Sequence, residues 1–245
     1  MQKNQQVMYP EEREYSWQDG KTLTIGKKTL IMGILNVTPD SFSDGGKWNS
    51  VDRAVQHMLE MVVNGADIID IGAESRRPGF VTTMSAKEEI ERLKPFLEAV
   101  LPACPVPVSI DTFKAETAAY AAEQGVHMLN DIWGLQYAEE PGEMAKVAAE
   151  YDLPVVVMHN RDSKVYKGDI IDNMRAFFQR SIDIACEAGV KQENIILDPG
   201  IGFGKDVEGN LEVMNRLQEL KKFAGHRYPL LLGTSRKSFI GNTLD

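Results

Sequence analysis

Only two of the 245 residues are cysteines, Cys104 and Cys186, and they lie far apart with no Cys-x-x-Cys pair. That excludes a zinc-thiolate cage and gives no support to a disulfide framework, so both thiols are expected to be packed in a reducing compartment. Long apolar runs are missing as well. No stretch approaches the roughly 18 residues of a membrane helix, and the polar start of the chain, with Glu11, Glu12 and Glu14, has no secretory pattern. A soluble, cytoplasmic protein with no membrane partner is expected. Basic excess is absent too: 27 Lys and Arg against 36 Asp and Glu leave a net charge of -9. This argues against a nucleic-acid partner held by phosphate neutralisation. Any anionic ligand must then be met by local cations. The four histidines show no carboxylate spacing that would build a transition-metal cage, and His57, His127 and His226 read as surface or structural residues. The glycine-rich stretch 200–205 lacks both the spacing and the Ser/Thr of a Walker loop and does not match Gly-x-Gly-x-x-Gly, so triphosphate and dinucleotide binding are rejected.

The chain has 43% hydrophobic residues, enough for one large α/β domain over 1–245. The stretch 31–46 organises it, an apolar run of strand length that turns abruptly into a polar loop after Asn36. Before it, 14–17 and 21–25 flank Asp19-Gly20 and predict a hairpin capping one end of the domain. After it the pattern repeats. Strands are expected at 67–72, 106–110, 127–129, 154–157, 194–197 and 228–232, and helices at 51–64, 85–100, 114–124, 139–151, 169–188 and 209–223. Ser85 and Glu88 predict a capping box, and Pro102, Pro105 and Pro107 are expected to stop the second helix. Seven strands, each followed by a polar loop, suit a (β/α)8 TIM barrel with an N-terminal β-hairpin better than an open doubly wound sheet, which remains the alternative. An eighth strand is not visible before Asp245, so the barrel is expected to be C-terminally incomplete.

In a barrel the residues ending the strands ring a single mouth, here Asn36, Glu74, Asp111, Asn130, His159, Asp198 and Lys237. The set is rich in carboxylates and amides and poor in nucleophile-plus-base pairs, so a Ser-His hydrolase is disfavoured. Asp198, Asp111 and Asn130 suit a ligand with a planar edge of N–H donors, such as a pterin or a guanine-like ring. Arg76, Arg77, Arg236 and Lys237 are the cations at hand for an anionic group.

Seven motifs, at 34–46, 68–79, 109–114, 130–133, 158–162, 197–205 and 233–241, resemble in order those of the bacterial dihydropteroate synthase family, the sulfonamide targets of folate synthesis. The resemblance implies condensation of 6-hydroxymethyl-7,8-dihydropterin diphosphate with p-aminobenzoate to give 7,8-dihydropteroate and pyrophosphate. It implies that Asp198, Asn130 and Asp111 hold the pterin, that Met158, Ile132 and Phe203 wall it, and that Lys237, beside Gly233, bonds the ring. It further implies Mg2+ held with the help of Asn36, and Arg77 and Asp44 organising the leaving group and first loop. Phe42, Pro78 and Ser238 would frame p-aminobenzoate or a competing sulfonamide, and a homodimer is expected. The chain departs from the family's Gly-Gly-Glu-Ser-Thr-Arg-Pro-Gly in having Ala73 and Arg76. Arg76 stands where a small hydroxyl would contact diphosphate and p-aminobenzoate. A non-catalytic pterin-binding barrel is the alternative to the enzyme.

Overall fold

A computed structural model of the chain describes residues 12–38, 46–74, 84–223, 225–237 and 240–241. The hairpin forms as the Asp-Gly pair predicts, with β1 (Arg13–Ser16) antiparallel to β2 (Thr22–Ile25). Side-chain bonds fix it against the body. The Arg13 guanidinium donates to the carbonyls of Glu193 at 2.7 Å, Ile195 at 3.0 Å and Arg227 at 2.8 Å, and the Tyr15 hydroxyl donates to Glu193 at 2.6 Å. His127 adds another clamp. Its Nδ1 accepts from the Val108 N–H at 3.0 Å, so Nε2 carries the proton it shares with Asp19, 3.0 Å away. Burial holds the His127 pKa below its usual value against the pull of Asp19, which makes this histidine structural, as expected.

Six parallel strands form the sheet, in the order β3 (Met32–Asn36), β4 (Ile68–Gly72), β5 (Val108–Asp111), β6 (Met128–Asp131), β7 (Val155–Met158) and β8 (Ile195–Asp198). The segment expected as the seventh strand joins β8 through one parallel bridge, Leu197 to Leu230. Its bonds run from the Leu197 N–H to the Pro229 carbonyl at 3.0 Å and from the Leu231 N–H to the Leu197 carbonyl at 2.9 Å. Strands in sequence order with helices between them give the TIM-barrel fold. Among the described residues the barrel is open between β3 and the seventh segment, and Ile34 and Leu232 are 56% and 41% exposed.

The connecting helices are α1 (Gly46–Val63), α2 (Ala86–Ala103), α3 (Ala115–Glu123), α4 (Glu143–Glu150), α5 (Ile170–Ala188) and α6 (Val207–Asn215). The capping box is present: the Ser85 hydroxyl accepts from the Glu88 N–H at 3.3 Å, and the Glu88 carboxylate accepts from the Ser85 N–H at 2.9 Å. Three expectations are corrected. Helix α2 runs through Pro102 to Ala103, because Leu93, Phe96, Leu97 and Val100 bury one face along its length. The helix expected over 209–223 stops at Asn215, and a two-residue hairpin, β9 (Lys222–Phe223) with β10 (His226–Arg227), takes up its end. Cys104 is buried, but Cys186 is exposed.

Alternation along the strands separates two cores. Ile69, Ile71, Val108, Ile110, Leu129, Val155, Val157, Ile195 and Leu197 face outward and pack with the helices. Ile68, Met128, Val156 and Ile196 face inward and are plugged from below by Tyr15 and Leu23 of the hairpin. Two residues further along each strand the same inward face carries Asp70, Asn130, Met158 and Asp198. The lumen is thus apolar at the bottom and polar at the mouth.

Candidate active site

The mouth is built from cross-strand pairs. Asn36 lies opposite Gly72, Asp111 opposite Asn130, and Met158 opposite Asp198. Gly72 leaves space that its neighbours fill: a Cβ there would meet Asp111 Oδ2 at 3.3 Å and Asn36 Oδ1 at 3.7 Å. A carboxylate oxygen and an amide oxygen therefore converge above one glycine. Asn130 is oriented from below, its Nδ2 donating to Asp70 Oδ2 at 3.0 Å.

Asp198 is buried, and one of its oxygens accepts from the Gly200 N–H at 2.7 Å. Burial pushes its pKa up to about 6, opposed by that hydrogen bond and by the charges of Lys205 and Lys237. Lys237 approaches from the loop after the seventh segment. Its Nζ lies 4.1 Å from the centre of the Phe203 ring, a cation–π contact, and its aliphatic stem crosses Gly202, where a Cβ would come within 2.9 Å of Cδ. Burial lowers the Lys237 pKa, while Asp198 and Asp111 pull it up. Beside Gly233 a Cβ position meets nothing within 4 Å. Ile132 follows β6, half-buried. The structure thus places Asn36, Asp111, Asn130, Met158 and Asp198 at the C-terminal ends of their strands, and Ile132, Phe203, Gly233 and Lys237 in the segments that follow strands. Phe42, Asp44, Arg76, Arg77, Pro78 and Ser238 lie outside the described residues. Chemically the mouth offers two carboxylates as acceptors, an oriented amide, a cation, and the side chains of Met158 and Phe203 as walls.

Three features were not anticipated. Asp70 supports Asn130, and its signal was a charge inside the apolar run 67–72. Glu74 turns away from the mouth: Lys114 bonds both Glu74 and Glu89 at 3.1 Å, and the same Glu89 oxygen accepts from Thr112 at 3.2 Å and Thr117 at 2.9 Å. This buried cluster ties the exit of β4 to that of β5. Lys205 and His159 form a third group, behind Asp198. Burial holds His159 down to about 2, so its imidazole stays neutral.

The family described as pterin binding enzyme matches residues 32–245. The dihydropteroate synthase of Clostridium beijerinckii is 53% identical over 225 residues, covering 92% of this chain and 81% of the relative. The chain belongs to the dihydropteroate synthase family. Its class is therefore that of the pterin-binding transferases of folate biosynthesis. The Bacillus subtilis dihydropteroate synthase is 51% identical, covering 91% of this chain and 75% of its own. Solved dihydropteroate synthases share the fold. That of Clostridium difficile, crystallised in the presence of pteroic acid, is 52% identical with a TM-score of 0.83, over 89% of this chain and 81% of that one. The Xanthomonas albilineans dihydropteroate synthase in complex with 7,8-dihydropteroate is 36% identical with a TM-score of 0.77, over 92% and 79%.

Proposed function

We propose that this chain, as one barrel domain, joins 6-hydroxymethyl-7,8-dihydropterin diphosphate to p-aminobenzoate, releasing pyrophosphate. The observation that carries the reading is the convergence of Asp198, Asn130, Asp111 and Lys237 on one mouth. Asp198 accepts the paired N–H donors of the pterin edge, a match that a carboxylate makes and a hydroxyl does not. Asn130, held by Asp70, and Lys237 bond the rest of the ring, with Met158, Ile132 and Phe203 as walls and Gly233 leaving room. The bond from the pterin methylene to the diphosphate oxygen breaks with its electron pair on the oxygen. The amine lone pair of p-aminobenzoate then forms the C–N bond, and the amine proton goes to solvent. Asp111 offsets positive charge on the methylene in that step.

Arg77 and Asp44 serve the leaving group and first loop, and Phe42, Pro78 and Ser238 frame p-aminobenzoate or a sulfonamide. Asn36 supplies a hard oxygen beside that of Asp111, a donor type that fits Mg2+. Bound there on the diphosphate, the ion would offset charge on departing pyrophosphate. A homodimer in the cytoplasm completes the reading, by likeness to the family; no helix among the described residues is long and apolar enough to cross a membrane.

The pKa of Asp198 gives a first test. Its ionised form is the acceptor, and it takes a proton as pH falls through about 6. Affinity for the pterin diphosphate should therefore be full above that pH and decline below it, which titration calorimetry between pH 7.5 and 5 would register. A flat profile would count against Asp198 as the pterin ligand. A second test concerns Arg76. Replacing Arg76 with Thr, the family's residue, is expected to change sulfonamide inhibition constants by about 1.5- to fivefold, the range of one solvent-screened charge contact; equal constants would remove Arg76 from the p-aminobenzoate site.

A further inference from the structure

We propose that Lys205 is a positioning residue for pterin recognition, setting the loop that holds Asp198, Phe203 and Lys237 in one arrangement. The inference rests on the pterin reading of the mouth. Lys205 is 3% exposed, and its Nζ lies 3.1 Å from His159 Nδ1, 3.0 Å from the Gly200 carbonyl and 3.0 Å from the Phe203 carbonyl. Burial lowers the Lys205 pKa to about 7 against the pull of Asp198; in its ammonium form it has three donors and no acceptor, and with the His159 proton on Nε2 these contacts use all of them. None is left for a phosphate, which separates this lysine from that of a phosphate loop.

The segment it ties needs tying. Gly200, Gly202 and Gly204 have φ of 63°, 86° and 56°, so the backbone between Asp198 and Lys205 is built from the most permissive residues. Both ends matter to the mouth. Gly200 donates to Asp198 at one end, and Phe203 lies under the Lys237 ammonium at the other. By gripping the carbonyls of Gly200 and Phe203 together, Lys205 fixes the distance between the carboxylate and the aromatic wall. His159 completes the grip from β7. Its ring is held edge-on by Phe177 at 4.9 Å, and its backbone N–H donates to the Asp198 carbonyl at 2.8 Å. Lys205 itself need not touch the pterin; it acts through its neighbours.

The test compares the whole chain with Lys205→Met, which keeps the length of the side chain and removes its donors. Losing charge-assisted hydrogen bonds that hold a ligand's receptor corresponds to about ten- to a hundredfold in affinity. Calorimetry should show the Kd for the pterin diphosphate raised by that factor, with the KM for p-aminobenzoate within about twofold of the parent. A lysine that merely stabilises the fold would lower the melting temperature and leave pterin Kd unchanged, or raise both constants together; either result in folded protein overturns the proposal. If Lys205→Met does not fold, Lys205→Arg carries the same test, since one guanidinium cannot place three donors where a single nitrogen did. It should show the same selective loss of pterin affinity, and parental affinity would overturn the proposal. Asp198→Asn measured alongside separates the two readings. Unchanged pterin affinity in Asp198→Asn overturns the pterin reading and this inference with it. Weakened affinity in Asp198→Asn with parental affinity in Lys205→Met overturns this inference alone.

Discussion

Asp198→Asn is expected to lower kcat/KM for the pterin diphosphate by about a hundred- to five-thousandfold. The substitution preserves shape and leaves an oxygen to accept from the Gly200 N–H, which stands 2.7 Å from the native carboxylate. What changes is the other oxygen. An NH2 group there faces ligand N–H donors with a donor, so a pairing at a buried position is broken. Breaking one partner of a buried charged interaction costs about 3–5 kcal/mol, and each 1.36 kcal/mol is tenfold. The loss should fall on the pterin and not on the KM for p-aminobenzoate, and the decline in affinity near pH 6 should vanish with the carboxylate. Steady-state kinetics with each substrate varied in turn would check this. A variant with parental constants would remove Asp198 from the site.

Gly200→Ala is the second large effect, and it comes from the backbone. At φ 63° any side chain is strained, and the added Cβ would stand 2.0 Å from the His159 carbonyl oxygen. That neighbour is backbone of the chain leaving β7, and its own N–H is bonded to Asp198, so it has little freedom to withdraw. Left-handed strain of about 1–2 kcal/mol and overpacking of about 1–3 kcal/mol predict a loss of about 3 kcal/mol. For a chain of this size that corresponds to a fall of roughly 6–12 °C in melting temperature. Pterin binding should fail with it, because moving residue 200 moves the donor to Asp198. Calorimetric melting together with pterin titration tests both parts; a melting temperature within about 2 °C of the parent would contradict the packing described at this glycine.

Much of this site was legible in the sequence, for a specific physical reason. Strands buried on both faces read as short apolar runs, and the polar residue that ends each one stands out; Asn36, Asp111, Asn130 and Asp198 were visible that way. Asp19-Gly20 likewise specifies a turn chemistry that few other structures use, and the hairpin formed where it was expected. Features that depend on distant partners were not legible. Lys205 sits in a glycine-rich stretch that imitates a phosphate loop, and only the fold shows its ammonium turned inward onto carbonyls and His159. Glu74 ends its strand like the ligand candidates, yet it meets Lys114 instead. The hairpin of β9 and β10 hides in Lys221 to Arg227, which carries neither alternation nor a strong turn pair. The seventh strand was visible as an apolar run, but its pairing through one bridge to β8 was not.

Pyrophosphate release by the purified chain, given the pterin diphosphate and Mg2+ and measured with and without p-aminobenzoate, separates a transferase from a barrel that only binds pterin. Release should require p-aminobenzoate and match the dihydropteroate formed one for one. Tight pterin binding with no release under either condition would contradict the proposed function and leave a pterin-binding barrel without the transferase reaction.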